Sequence, residues 1–447
     1  MDDIIHRYHD LLTPDIAADS QAQLDAVQRQ RGLAFGERPL CTVLRPRFLS
    51  PEQYHFLCRR VGLLLRAFEK ANRAALADAG FRKQFLLTPE EDELVQHDPG
   101  FRSYSPTGRL DAFFVSEREL LFTEYNAETP AAAAYCDAVA DVFLALPIIR
   151  EFVRSHHIYP MPTRPGVLHA LLDSYRQFAG RSELPRIAIL DWKEVPTYSE
   201  FVLFQQYFQS HGLQCIIGDP REVEYKGGKL YAGDYQVTLI YKRVLIGELL
   251  AKGGLDHPVV RAVRDNAVCM VNPFRCKILY KKASFAVLGD ERNAHLFSAD
   301  ELDAIHAHIP WTRAVVERKT TYQGQDIDLL PFILKHKDSL VLKPNDDYGG
   351  HGIVLGWTVD AAAWERAVQS ALAQPYIVQQ RINLPSEPFP ALVEGKVQIQ
   401  GRMLDTAPFT WYGSYMDGCL TRISTAALLN VTAGGGSTVP TFLVERR

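Results

Sequence analysis

The chain has 447 residues, 47% of them hydrophobic and 23% charged, the balance of a globular protein with a core large enough for two or three lobes. Lys and Arg total 49 against 53 Asp and Glu, a formal charge of −4, which gives no sign of a nucleic-acid surface or an acidic-lipid binder. No apolar run approaches the roughly 18 residues of a membrane span, the acidic start MDDIIHRYHD lacks a signal-peptide core, and the seven cysteines form no CxxC pair, so reduced thiols and a cytoplasmic location are expected.

Apolar spacing predicts helices over 15–35 and 50–80, the second framed by Pro51 and Gly80, within a helical N-terminal region, 1–105, that carries no assignable motif. In LDAFFVSERELLFTEYN, 110–126, two apolar runs flank the polar turn SERE and predict a β-hairpin, followed by a helix over 132–154. His156 and His157 read as its solvated end. This second region, 106–165, closes in a Pro-, Arg- and Gly-containing stretch, 160–185, that reads as a boundary. Over 166–260 the runs RIAIL, SEFVLFQQYFQSHG, QCIIG and VTLIYKRV alternate strand and helix, with EYKGGKLYAG as a hairpin tip, the pattern of a small α/β lobe. The last region, 261–447, holds the strand SLVLKP halted by Pro344, the loop NDDYGGHG, and the strands GIVLGW and YIVQQRI around the helix AAAWERAVQSALA. Short strands and Gly-rich turns run from there to the end.

SLVLKPNDDYGGHGIVLG is the most informative stretch. Lys343 sets an ammonium at the end of an apolar strand, beside a loop whose Gly349, Gly350 and Gly352 let backbone N–H groups approach an anion. That suits a polyphosphate, with the loop, including Tyr348 and His351, as its cover; a hairpin turn next to a surface lysine is the other reading. No G-K-[ST] follows the glycines, so this is not a Walker motif. The strand YIVQQRI can present a backbone edge to a base, with Gln379, Gln380 and Ile382 near base and ribose.

VLKPNDDYGGHGI followed by VQQRI resembles the ATP-grasp superfamily, and the run DTAPFTWYGSYMDGCLTRISTAALLNVTAGGGSTVPTFLV resembles its circularly permuted group, which has a similar LTR, an asparagine and a GGGS turn near the end. Far upstream, GRLDAFFVSERELLFTEYNAETP contains R-x-D and E-x-N-A-[E/D]-T-P, a pattern similar to glutathionylspermidine synthases and their permuted relatives. Residues i and i+2 of a strand share a face, so Glu124 and Asn126 can meet one cation, with Asp111 arriving from a paired strand and Arg109 on the same face as Asp111. A polar hairpin with its charges in solvent is the other reading of an isolated E-x-N.

The resemblance implies an α+β, ATP-grasp fold in circularly permuted order, with the metal half upstream of the lysine half and a small α/β (pre-ATP-grasp-like) lobe. It implies ATP and Mg²⁺ as cofactors, Asp111, Glu124 and Asn126 as magnesium ligands, and Arg109 on the transferred phosphoryl group. Lys282 matches a second nucleotide lysine, with the adjacent Lys281 leaving the register open by one, and Arg422 matches an arginine for the γ-phosphate or acyl phosphate, with Arg402 as runner-up. Many relatives have an acidic residue where this chain has Gln380. The expected activity is an ADP-forming carboxylate–amine ligase acting through an acyl phosphate on small-molecule acid and amine substrates of amino-acid, peptide or polyamine type. Two alternatives stand beside it: a small-molecule phosphotransferase on the same fold, and a non-catalytic ATP-binding partner protein. In the α/β lobe, Lys242 and Arg243 either hold a substrate carboxylate or end a solvated strand. No nucleic-acid or membrane partner is expected, and homo-oligomerisation stays open.

Overall fold

The computed structural model describes residues 1–36, 38–116, 118–180, 183–347, 350–425 and 436–447. The early helices form where the spacing predicts them. Pro14–Arg31 and Pro51–Ala77 each start on a proline behind a hydroxyl cap, Thr13 and Ser50, and Ser50 closes a reciprocal capping box with Gln53. The second helix buries Leu57, Val61, Leu64 and Phe68 in one core with Leu110, Phe122 and Tyr125 of the predicted hairpin and with Phe285. It is the floor beneath that hairpin.

The helix expected over 132–154 is two, Ala133–Ala145 and Pro147–Phe152. Pro147 cannot continue the ladder and holds Leu146 in the extended region, with ψ 143°. His156 is not a solvated helix end. It opens the strand His156–Pro160, which pairs with Thr441–Arg446, and its ring stacks on Phe152 at 4.4 Å. The stretch 160–185 holds the helix Arg164–Ala179, with Val167, Leu168, Leu171 and Tyr175 buried. Pro165 starts this helix and Gly180, at φ 63°, ends it, so these turn formers are caps.

The α/β lobe is a parallel sheet of Arg186–Leu190, Gln214–Gly218, Leu239–Lys242 and Cys269–Val271, in the spatial order 269–271, 239–242, 186–190, 214–218. The tip EYKGGKLYAG pairs Val223–Lys226 with Lys229–Ala232 through Gly227 and Gly228, both at positive φ as a two-residue primed turn requires.

Two further sheets face the cleft. One is antiparallel, in the order Thr312–Ala314, Tyr376–Gln380, Leu340–Pro344, Val354–Leu355. The other runs Ser386–Val393, Lys396–Leu404, Tyr415–Ser424, Ala407–Trp411, Thr107–Phe114, Leu120–Asn126, with Ser437–Val439 also paired to Tyr415–Ser424. The upstream hairpin and the late strands are therefore one sheet, joined where Arg109 lies opposite Phe409. Among the described residues no helix is long and apolar enough to cross a membrane.

Candidate functional site: a cleft between the hairpin and the lysine strand

The hairpin sets its polar residues in cross-strand register. Arg109 is opposite Asn126 and Asp111 opposite Glu124, so all four share one face. After Asp111 the register shifts by one residue at Thr123. This bulge lets Thr123 and Glu124 both border the cleft, and the Thr123 hydroxyl donates to the Asp111 carbonyl at 3.3 Å.

Asp111 is clamped from both sides. Arg109 Nε donates to its Oδ1 at 2.6 Å and Arg109 Nη2 to its Oδ2 at 3.0 Å, while Arg422 Nη2 donates to Oδ2 at 2.6 Å. Arg422 is held in turn by Asp405, which accepts from its Nε at 2.6 Å and from its backbone N–H at 2.6 Å. Burial alone would raise the pKa of Asp111. The two guanidiniums outweigh it and hold the carboxyl well below the usual aspartate range.

Glu124 accepts from Asn126 Nδ2 at 3.0 Å and lies 3.8 Å from Lys282 Nζ. Lys282 also donates to the Asp347 carbonyl at 2.6 Å and borders the cleft. Lys281 turns away to Glu91 and Asp346, so the side chain at the site is that of Lys282. Lys343 Nζ donates to Gln379 Oε1 at 2.7 Å, and Gln379 Nε2 donates to Thr312 Oγ1 at 3.0 Å. Desolvation in the cleft wall lowers the Lys343 ammonium to about 8, with Lys282 lowering it further and Glu124 and Asp111 opposing.

One cleft of about 670 Å³ collects these groups: Arg109, Asp111, Glu124, Asn126, Lys282, Lys343, Gly350, His351, Gln379, Gln380, Ile382 and Arg422 all border it. Gly352 does not. It turns the chain at φ 68° against Pro344, whose Cγ a Cβ would approach to 2.7 Å. Tyr348 and Gly349 lie outside the described residues, as does most of the stretch that carries the expected asparagine and GGGS turn.

Three local expectations change. YIVQQRI does not offer a free backbone edge along its length, because Tyr376–Gln380 is central in its sheet and Gln380 N–H donates to Trp311; the border of the cleft continues instead through Ile382 to Leu384. Gln379 borders the cleft and also accepts from Lys343. Neither Lys242 nor Arg243 is a solvated strand end: both are buried, Lys242 pairs with Glu128 at 3.3 Å, and Arg243 borders the cleft. Arg402 is not on the cleft wall, whereas Arg422 is.

A buried ion network that sequence reasoning missed fixes the start of the glycine loop. Asp346 accepts from Lys277 at 2.9 Å and from Lys281, Lys277 reaches Glu128 at 3.1 Å and Glu91 at 3.5 Å, and Glu128 takes Lys242 as well. Asn345 donates to the Phe85 carbonyl and accepts from the backbone N–H of Ala283. Glu128 is the acidic residue of the N-A-[E/D]-T-P pattern. The only hint in the sequence was its place two residues past Asn126.

Over nearly its whole length the chain superimposes on a glutathione synthetase-like effector from Globodera pallida in its apo form, covering 96% of this chain and 98% of that one, with a TM-score of 0.60 and 12% sequence identity. The fold is of the ATP-grasp type. No family model matches the sequence. Two curated relatives match at 23% identity: a putative glutamate–cysteine ligase 2-3 of Frankia alni, over 91% of this chain and 46% of that protein, and a putative glutamate–cysteine ligase 2-2 of Frankia casuarinae, over 91% and 45%. The chain thus spans less than half the length of these relatives. Within the ATP-grasp frame, the basic side chains Lys282 and Lys343 border the same cleft as the acidic hairpin, an arrangement that can hold a polyphosphate and its cation together.

The donor set fits magnesium. Mg²⁺ takes hard oxygen ligands, keeps several waters and completes its shell with phosphate oxygens, so one or two carboxylates suffice. Glu124 and Asp111 provide two carboxyl groups and Asn126 an amide oxygen, all on one face. Among the described residues no group of three His, Cys, Asp or Glu is arranged to hold a metal.

Proposed function

We propose that this protein is an ATP- and Mg²⁺-dependent carboxylate–amine ligase, with its ATP-grasp segments in permuted order, that forms an amide through an acyl phosphate. One observation carries the reading: Arg422 and Arg109 clamp Asp111 directly opposite Glu124, in the cleft that Lys343 and Lys282 border. Pairing of the 107–126 hairpin with Ala407–Trp411 supports the permuted order, since it puts the upstream acidic face in one sheet with the late strand that carries Arg422.

In this reading Lys343, oriented by Gln379, and Lys282 bind the phosphates of ATP, and Asp111, Glu124 and Asn126 hold Mg²⁺. Bound there, the metal supplies charge neutralisation on the phosphate oxygens. The carboxylate oxygen of the acid substrate forms a bond to the γ-phosphorus as the bridge to ADP breaks, and ADP leaves. Charge spreads over the phosphoryl oxygens during this transfer, and Arg422 and Arg109 face it with guanidiniums held in place by Asp111 and Asp405. The amine lone pair then attacks the acyl carbon, the carbon–oxygen bond to phosphate breaks, and the proton leaves with phosphate or solvent. Gly350 and His351 cover the cleft on the loop side, where excluding water protects the acyl phosphate from hydrolysis.

The test is an ADP-release screen over pairs of acids and amines. A ligase makes ADP only with both substrates present and yields amide in equal amount. ADP formed with a single hydroxyl substrate, together with a stable phosphate ester, would make it a phosphotransferase, and no turnover with any pair despite tight ATP binding would make it a binding protein.

A further inference from the structure

The cleft has a second end. It reaches the carboxyl ends of the parallel strands Arg186–Leu190 and Leu239–Lys242, where Asp191, Arg243 and Glu248 border it. These strands are neighbours, yet the chain leaves the first toward Gln214–Gly218 on one side and returns to the second on the other. The winding direction therefore reverses between them, the point at which open parallel sheets leave a crevice for a ligand. Asp191 and Arg243 each stand one residue past a strand end and are fixed by backbone bonds, Asp191 N–H to the Gly218 carbonyl at 3.2 Å and Arg243 N–H to that of Leu190 at 2.9 Å.

The charges at this end are of both signs. Arg243 is 5% exposed; its guanidinium reaches the Pro130 carbonyl, the Tyr241 hydroxyl and Glu200, but its Nε is buried with no hydrogen-bond partner among the described residues. An anion brought to that N–H would satisfy it. Asp191 accepts one bond, from the Trp192 N–H at 2.8 Å, and among the described residues no cation forms an ion pair with it. Burial pushes its pKa up to about 6. Glu248, whose Oε2 accepts from the Trp192 indole at 2.7 Å, adds a second carboxyl on the same border.

We infer that this end of the cleft is a bipolar subsite for the α end of an amino-acid substrate, with Arg243 taking the free carboxylate and Asp191 and Glu248 the free ammonium. The inference rests on the ligase reading for the role of the bound molecule as a substrate. A polyamine would leave the Arg243 Nε unsatisfied and bring a cation against the guanidinium, and a dicarboxylate would face Asp191 without a counter-ion.

The experiment is calorimetry on the full chain with the standard α-amino acids, their decarboxylated amines, the acids lacking the amino group, and spermidine, each with and without MgATP. At least one amino acid binds, and its two truncated analogues bind about tenfold weaker or worse. Asp191→Asn and Arg243→Lys, each checked for folding by circular dichroism, lose about tenfold or more in amino-acid affinity and keep the affinity for MgATP. The proposal is overturned if no amino acid binds under either condition, if spermidine or the bare amine binds as well as the parent, or if Asp191→Asn folds and binds like the wild type. MgATP binding to the same wild-type sample separates the two readings. Amino-acid binding without nucleotide binding would sink the ligase and leave the subsite standing; the reverse result would sink the subsite alone.

Discussion

Arg422 Nη2 donates to Asp111 Oδ2 at 2.6 Å across 311 positions of sequence, and Arg422 Nε donates to Asp405 at the same distance. The arginine thus lies between two buried carboxylates, one on the acidic face of the hairpin and one on its own side of the sheet. A lysine has neither the fork nor the reach to serve both. Arg422→Lys and Arg422→Ala are expected to lower turnover by about 10²–10³-fold, the range for removing one donor to developing charge, while ATP affinity changes far less. Steady-state ADP release beside direct nucleotide titration checks this, and equal losses in both quantities would remove Arg422 from the transfer step.

Glu124 bears on metal dependence. Among the described residues no arginine pairs with it, and its ion-pair partner is Lys282 at 3.8 Å. Glu124→Gln is expected to raise the Mg²⁺ concentration for half-maximal ADP release by about 10–100-fold, with the fold intact by circular dichroism. An unchanged magnesium titration would take Glu124 off the metal.

Lys343 makes nucleotide binding sensitive to pH. Its ammonium, lowered to about 8 by desolvation, carries its charge below that value and loses it above. Phosphates brought beside it raise its proton affinity, so binding takes up a proton and ATP affinity falls by about tenfold per pH unit above 8. Lys343→Met binds more weakly at neutral pH and loses this slope. Calorimetry in buffers of different ionisation enthalpy near pH 8 reads the proton uptake directly.

The network beneath the glycine loop concerns stability. Glu128 is fully buried and faces Lys242 and Lys277. Burial raises its pKa, but the two lysines outweigh this and leave it below the usual glutamate range. A depressed folded value means that its contribution is present at neutral pH and is lost as pH falls through that lower value. Glu128→Gln leaves the buried Lys242 ammonium without its carboxylate and takes one of three from Lys277, and is expected to cost about 3–5 kcal/mol in denaturant unfolding. A cost near zero would mean that Lys242 and Lys277 find water or other partners.

The acidic face was legible in the sequence because a strand's two-residue period is short-range: Glu124 and Asn126 had to share a face, and a hairpin turn brought Arg109 and Asp111 opposite. Lys343 was legible for the same reason, as the last charge on an apolar run before a glycine loop. Asp405 was not, because its meaning lies in the Arg422 it holds, and only sheet order brings the two together. The bond from Lys343 to Gln379 was not legible either, because the two stand on neighbouring strands whose register no local pattern encodes. Lys242 and Arg243 looked like a solvated strand end because their covering carboxylates, Glu128 and Glu200, come from other segments. Asp191 gave no signal beyond following RIAIL. Its position matters through the winding of the sheet, which appears only once strand order is known.

The joining of the hairpin to Ala407–Trp411 also governs when the site can exist during synthesis. The acidic face emerges with Arg109 beside it and the second arm of its clamp much later, so a growing chain carries Asp111 without Arg422 over 311 positions. Contacts of such sequence separation form slowly. Until they do, Arg109 alone faces Asp111, and the cleft lacks its second guanidinium.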